Sequence, residues 1–229
     1  FHKEPYGVSL IVSPWNYPLQ LSLAPLIGAV AAGNTVMLKT APASGATSAL
    51  LKELLEDVFP KDYVAVFGGH RDVNKALFAE QYDYIFFTGG AAVGRIVMEA
   101  AAKHLTPLTL ELGGKSPVIV HHDAKINTAA RRIAWGKFLN AGQTCIAPDY
   151  LLVNHDVRDQ LLEALKKSII GFYGDNAENS HDYSRIISDH HFDRISALLG
   201  SGTLYYGGRT DKRTRSEEHT SELQSPSAI

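Results

Sequence analysis

Short apolar runs rich in β-branched residues alternate along this chain with longer stretches whose apolar positions recur at helical spacing. Val8–Val12, Thr35–Lys39, 63–67 and 84–87 each read as a buried strand. Between them the pattern predicts helices over 19–32, 44–59, 71–78 and 92–103. The first is apolar nearly all round, interrupted by Ser22, Pro25 and Gly28, and reads as a buried helix that stops at Gly33-Asn34. The second carries Leu50, Leu51, Leu54, Leu55 and Val58 as an apolar stripe, with Pro60 beyond its end. Such alternation predicts parallel βαβ units with helices on both faces of a sheet. Sheets of that kind present ligands beyond the carboxyl ends of their strands.

After Pro107 the character shifts. Leu108–Leu112 is strand-like and breaks at Gly113-Gly114. A further strand at 117–120 and a helix at 127–139 follow, and 150–153 with 157–172 repeats the strand–helix pair. The expected fold is α/β: a doubly wound, mostly parallel sheet forming a Rossmann-like cofactor domain, followed by the first part of a second α/β catalytic domain. The boundaries expected are 1–112 for the partial dinucleotide-binding domain, 113–215 for the partial catalytic domain and 216–229 for a tail. That tail has no strand or helix period and only Leu223 and Ile229 as large aliphatic residues, a composition that resembles disorder. From Arg215 the string RSEEHTSELQS also resembles a translated sequencing adapter, an artefact outside the fold.

Composition narrows the function classes. With 45% hydrophobic and 20% charged residues the chain is ordinary for a globular protein, and 229 residues suffice for one sizeable core or two modest ones. A formal net charge of −2 without a basic stripe argues against nucleic acid as partner. No apolar run reaches membrane-spanning length, so no membrane segment is expected. The first residues are no signal peptide and include no initiator Met, which predicts a missing or processed start. A single Cys excludes an internal disulfide and predicts a reducing compartment, the cytoplasm.

Several residues could carry chemistry, each with a bland alternative. Cys145 lies in NAGQTCIAP, a Gly- and polar-rich loop just after an amphipathic helix, where a thiolate could be open to attack a substrate. A lone Cys is more often a small buried hydrophobe. Glu111 ends an otherwise apolar strand in LTLELGGKSP; burial there would raise its pKa and suit it to general-base work, whereas a solvated strand end would leave it ordinary. The FTGGAAVG turn, from Phe87 to Gly94, follows a strand and opens a helix, so backbone N–H groups could meet a phosphate, although the spacing is not G-x-G-x-x-G. Asn16, in PWNYP, offers an amide that could hydrogen-bond an oxyanion or simply cap a helix. Lys39 ends the second strand, where it could reach a cofactor or stand exposed. The pairs His121-His122 and His190-His191 read as surface or packing residues, and no metal is expected.

Taken in order, WNYP, FFTGGAAVG, LELGGKSP and NAGQTCIAPDY resemble the aldehyde dehydrogenase superfamily. The wording of LTLELGGKSP, RRIAWGKFLNAGQTCIAPDY and YSRIISDHHFDRI is similar to its class 3 or fatty-aldehyde branch, over residues 3–215. The resemblance implies NAD(P)-dependent oxidation of an aldehyde to a carboxylic acid. Cys145 would be the thiolate that forms a thiohemiacetal and then a thioester, Asn16 and the Cys145 backbone N–H would hold the oxyanion, and Glu111 would activate the hydrolytic water. Gly89 to Gly94, with Gly90 and Val93 among them, would face the pyrophosphate and Lys39 the adenosine ribose, and Thr88 and Leu112 would also bind the cofactor. Where the family often reads Lys-Pro-Ser-Glu this chain reads Lys39-Thr-Ala-Pro42, so the ribose-binding carboxylate is absent and NAD against NADP stays open. Gly90 replaces a usual Ser. The family also implies further N- and C-terminal parts, so this chain alone is expected to be inactive and the whole enzyme a homodimer. The alternatives are a CoA-acylating or semialdehyde-type relative, or a non-catalytic cofactor-binding scaffold.

Overall fold

The computed structural model describes residues 2–217 and 222–223. They divide into two compact units, Phe1–Gly113 and Gly114–Ile229.

The first unit is built on a five-stranded sheet of β1 (Val8–Val12), β2 (Thr35–Lys39), β3 (Val64–Phe67), β4 (Tyr84–Gly89) and β5 (Leu108–Leu112). Its order is β3-β2-β1-β4-β5, and every pairing is parallel. The helices α1 (Gln20–Ala31), α2 (Gly45–Val58), α3 (Arg71–Leu77) and α4 (Ala91–Ala102) connect the strands. Alternation along β1 feeds two cores. Leu10 and Val12 pack with Ile85, Phe87 and Val97 on one face, whereas Ile11 packs with Leu26, Leu38 and Leu55 on the other. The sheet is therefore covered on both faces, as the strand–helix alternation predicts.

The helices are less buried than their sequences suggest. Only Ser22 and Leu26 of α1 are buried, and Ile27 is exposed. In α2 the seam facing the sheet is Leu51 and Leu55, while Leu50, Leu54 and Val58 point outward. Residues four apart share a helix face, so the stripe that best fits the spacing, 50/54/58, is the solvent-facing one. The stop after α1 follows the sequence signal. Gly33 adopts a φ of 87°, and the Gly33 and Asn34 N–H groups donate to the Val30 and Ala29 carbonyls.

The second unit contains β6 (Ser116–Val120), α5 (Ile126–Phe138), β7 (Pro148–Val153), α6 (Arg158–Tyr173) and α7 (Asp189–Ser196). β6 and β7 pair in parallel, with α5 as the crossover. Ala130 and Ala134 of α5 join Leu161 and Leu165 of α6 in one core with Ile186 and Phe192. The helix α7, which the pattern did not predict, is capped by Ser188, whose hydroxyl accepts from the His191 N–H. Ser216–Glu217 pairs antiparallel with Thr210–Asp211, and Glu222–Leu223 with Thr203–Leu204. Two dipeptides of the expected structureless tail are thus extended; the rest of 216–229 lies outside the described residues. Among the described residues no helix is long and apolar enough to cross a membrane.

Candidate active site

In the first unit, the sheet order reverses between β1 and β4. Strand connections lead away in opposite directions there, which opens a crevice at the carboxyl ends. The loop carrying Asn16 leaves β1 at this point. Its root is fixed to the end of β2: the Ser13 N–H donates to the Lys39 carbonyl at 2.9 Å, and the Ser13 hydroxyl donates to the same oxygen at 3.2 Å. The Ser22 hydroxyl of α1 donates to Ser13 Oγ at 2.8 Å. Asn16 itself is half-buried.

Lys39 is the largest fully buried side chain, only 2% exposed, which excludes the exposed strand-end alternative. Its ammonium donates to the Thr40 carbonyl at 2.6 Å. Burial holds its pKa below the ordinary lysine value. An ammonium carries three donors, so a buried Lys39 with this one carbonyl partner retains capacity for ligand hydroxyls.

β4 ends at Thr88 and Gly89, and Gly90 leads into α4 in extended conformation. Two glycines here have packing reasons. A Cβ on Gly89 would stand 2.6 Å from the Phe87 ring, and one on Gly94 would stand 3.0 Å from Leu112 Cδ2. Gly94 thus lets α4 lie close against β5, while Gly90 has open space around it. The first turn of α4, from Ala91 to Val93, is exposed. Its N–H groups form the positive end of the helix, suited to an anion.

Register sets Glu111 of β5 beside Thr88 of β4, and Leu112 beside Gly89. Burial was the sequence argument for Glu111 as a base, and the structure corrects it. Glu111 is exposed, because alternation along β5 turns Leu108, Leu110 and Leu112 toward α4 and Glu111 to the opposite face of this edge strand.

Cys145 belongs to the second unit. After α5 the chain turns through Asn140, Ala141 and Gly142, with φ values of 53°, 52° and 73°. Left-handed backbone costs a residue with a Cβ about 1–2 kcal/mol, and such conformations gather at functional sites. Next comes a turn in which the Ala147 N–H donates to the Thr144 carbonyl at 3.1 Å. Cys145 and Ile146 occupy its two central positions and both are exposed. The buried-hydrophobe alternative for Cys145 is thereby removed. Sequence reasoning passed over Gln143, whose amide donates to the Asn140 and Arg185 carbonyls and accepts from the Ile187 N–H. Its signal was a long amide in a stretch otherwise made of small residues. Among the described residues no group of three or more His, Cys, Asp and Glu could hold a metal; His121 instead pairs with Asp123 at 2.9 Å.

A sheet in dinucleotide-binding order, with polar groups and a helix terminus at its switch point, defines a doubly wound α/β protein of the nucleotide-cofactor type. The model of the aldehyde dehydrogenase family matches residues 1–219, and the chain belongs to that family. It is 49% identical over 214 residues to the dimeric NADP-preferring aldehyde dehydrogenase of Mus musculus, a match covering 93% of this chain and 47% of that protein. The solved substrate-bound state of Staphylococcus aureus AldH aligns with a TM-score of 0.92 at 46% identity, over 95% of this chain and 48% of that one. The Mycobacterium tuberculosis aldehyde dehydrogenase complexed with NAD+ aligns with a TM-score of 0.83 at 29% identity, over 92% of this chain and 45% of that one. The chain thus spans about half the length of the relatives it matches.

Proposed function

We propose that this chain forms the cofactor-binding and nucleophile-bearing half of an NAD(P)-dependent aldehyde dehydrogenase. The observation that carries the proposal is the gathering of Asn16, Lys39, Thr88–Gly90 and Glu111 at the carboxyl ends of four adjacent parallel strands, β2, β1, β4 and β5. The exposed Cys145 turn supports it.

The residues present fit a dinucleotide. Lys39 keeps N–H donors available, the start of α4 offers backbone N–H groups, and Gly94 keeps that helix close to the sheet. When bound, NAD(P) supplies the acceptor for the hydride that leaves the aldehyde carbon. In the proposed reaction the Cys145 thiolate adds to the aldehyde carbonyl. The Asn16 amide and the Cys145 backbone N–H hold the negative charge that develops on the carbonyl oxygen. Loss of hydride leaves a thioester on Cys145. Glu111 takes a proton from water, which attacks that thioester and releases the carboxylic acid and the thiolate.

The activity is proposed for an enzyme of the relatives' length, and the 229-residue chain alone is expected to turn over little or no aldehyde. A dimeric state and a cytoplasmic location are proposed with it. Cys145→Ala in that enzyme is expected to abolish aldehyde oxidation and leave NAD(P) binding intact. Retained turnover in the variant would overturn the proposal. Product analysis with and without CoA separates hydrolysis from transfer to a thiol.

A further inference from the structure

We infer that Gln143 is a positioning residue for the nucleophile, its side-chain amide fixing the Cys145 turn to the segment around Ile186. The inference rests on the proposal that Cys145 is the nucleophile and adds a residue that acts through it.

The Gln143 amide is used at both ends. Nε2 donates to the Asn140 carbonyl at 3.0 Å and to the Arg185 carbonyl at 3.1 Å, while Oε1 accepts from the Ile187 N–H at 2.9 Å. Two carbonyls on one side and an N–H on the other define which end is nitrogen. One side chain therefore ties the left-handed stretch before Cys145 to residues 42 and 44 positions downstream. That segment is itself fixed. Ile186 is 1% exposed, and its N–H donates to the Arg215 carbonyl at 3.1 Å. The Arg185 guanidinium donates to the Tyr183 and Glu178 carbonyls.

The turn needs such a tether. Both of its central side chains, Cys145 and Ile146, are exposed, so neither contributes burial to hold it. The buried Ala147 anchors its far side and Gln143 its near side. No other common side chain fills both roles at this position. Leu has the bulk without the bonds, Asn is a methylene shorter, and ionised Glu would face two carbonyl oxygens with no donor. Acyl transfer requires the Sγ and the Cys145 N–H to be held together relative to one carbonyl group, whereas simple alkylation requires only an exposed thiolate.

The test uses the 229-residue chain, whose single cysteine makes both reactions report on Cys145. Alkylation by iodoacetamide is compared with acylation by p-nitrophenyl acetate, after subtraction of the Cys145→Ser background. In the acylation the Sγ–carbon bond forms, the ester C–O bond breaks and p-nitrophenolate leaves. Gln143→Leu is expected to lower acylation about tenfold or more while alkylation changes less than about threefold. Amide exchange at Ile187 and Ala147 should accelerate, with the α6 core amides unchanged. Gln143→Glu guards against a variant that fails to fold. Protonated Glu can donate to one carbonyl and accept from Ile187, so protection of Ile187 should be present at about pH 5 and lost by about pH 8. An unchanged acylation-to-alkylation ratio in Gln143→Leu, or protection of Ile187 relative to its intrinsic exchange rate that does not change with pH in Gln143→Glu, overturns this inference alone. Retained aldehyde turnover in Cys145→Ala of an enzyme of the relatives' length overturns the nucleophile reading, and this inference with it.

Discussion

Thr88 and Glu111 are register partners on adjacent parallel strands, side by side where β4 and β5 both end. Glu111 therefore lies level with the strand position just before the turn that opens α4 while remaining exposed to water. In an enzyme of the relatives' length, Glu111→Gln is expected to slow thioester hydrolysis by about 10²–10⁴. Thioester formation should survive. Rapid-mixing kinetics would then show a burst of about one reduced cofactor per site followed by slow turnover. Unchanged steady-state turnover would remove Glu111 from the hydrolytic step.

Lys39 carries a buried charge with a carbonyl partner, an arrangement that costs desolvation and fits the proposed contact with the cofactor. Lys39→Met keeps the volume and removes the desolvated ammonium, so it should leave thermal stability unchanged or higher. The same change should weaken NAD(P) binding by about tenfold or more, the loss of a charge-assisted hydrogen bond. Calorimetric titration and melting together decide it; a destabilised variant with full affinity would contradict the assignment. The pH dependence follows from the lowered pKa. Between the folded value and the ordinary 10.5 the unfolded chain binds more protons, so stability rises with pH across that window. That rise should vanish in Lys39→Met.

Tyr82 gives the opposite slope. Its phenol is buried, donates to the Leu77 carbonyl at 2.9 Å, and is pushed up to about 12 by burial and by Glu80. Its stabilising contribution is complete below pH 10 and is lost as pH climbs through about 12. Tyr82→Phe should cost about 1 kcal/mol near neutrality through the lost hydrogen bond. It should also flatten the decline in stability over that alkaline window, measured by urea unfolding at stepped pH.

Gly94 is required by space. With a Cβ already 3.0 Å from Leu112 Cδ2 and 3.6 Å from the Phe87 ring, Gly94→Val should destabilise the first unit by about 1–3 kcal/mol. Leu112→Ala in the same chain should recover part of that loss, because Leu112 is 37% exposed and is itself weakly held. Additive losses in the double variant would show that the contact is not the cause.

Legibility in the sequence followed physical range. The limits of β1 and β2 agree residue for residue with the apolar pattern, because strands buried between two helical layers admit little else, and those of β5 agree because Pro107 and Gly113-Gly114 bracket it. Helix faces were less legible. The 50/54/58 and 51/55 rows of α2 are equally apolar, and only the tertiary fold chooses which meets the sheet. The alternation in LTLEL sets Glu111 on the face opposite the leucines that meet α4, but that β5 lies at the edge of the sheet is decided only by the tertiary fold. In NAGQTC the Asn and Gly announce left-handed backbone, but Ala141 does not, and the partners of Gln143 lie over forty residues away. The capping Ser188 and Asp189 of α7 were present to be read, in a segment whose short length hid its period.

The central position of β1 has a consequence for how the first unit is made. One edge of β1 pairs with β2 after the single crossover through α1, but the other must await β4, with Ser9 set against Tyr84. During synthesis from the N-terminus, β1 therefore emerges early and keeps an open, apolar edge until the FFTGG segment has left the ribosome. Closure across that separation is slow compared with local helix formation. A nascent chain stalled before Tyr84 would hold β1–β3 as a three-stranded sheet with β1, central in the finished sheet, at its rim, a state exposed to aggregation and to chaperone capture.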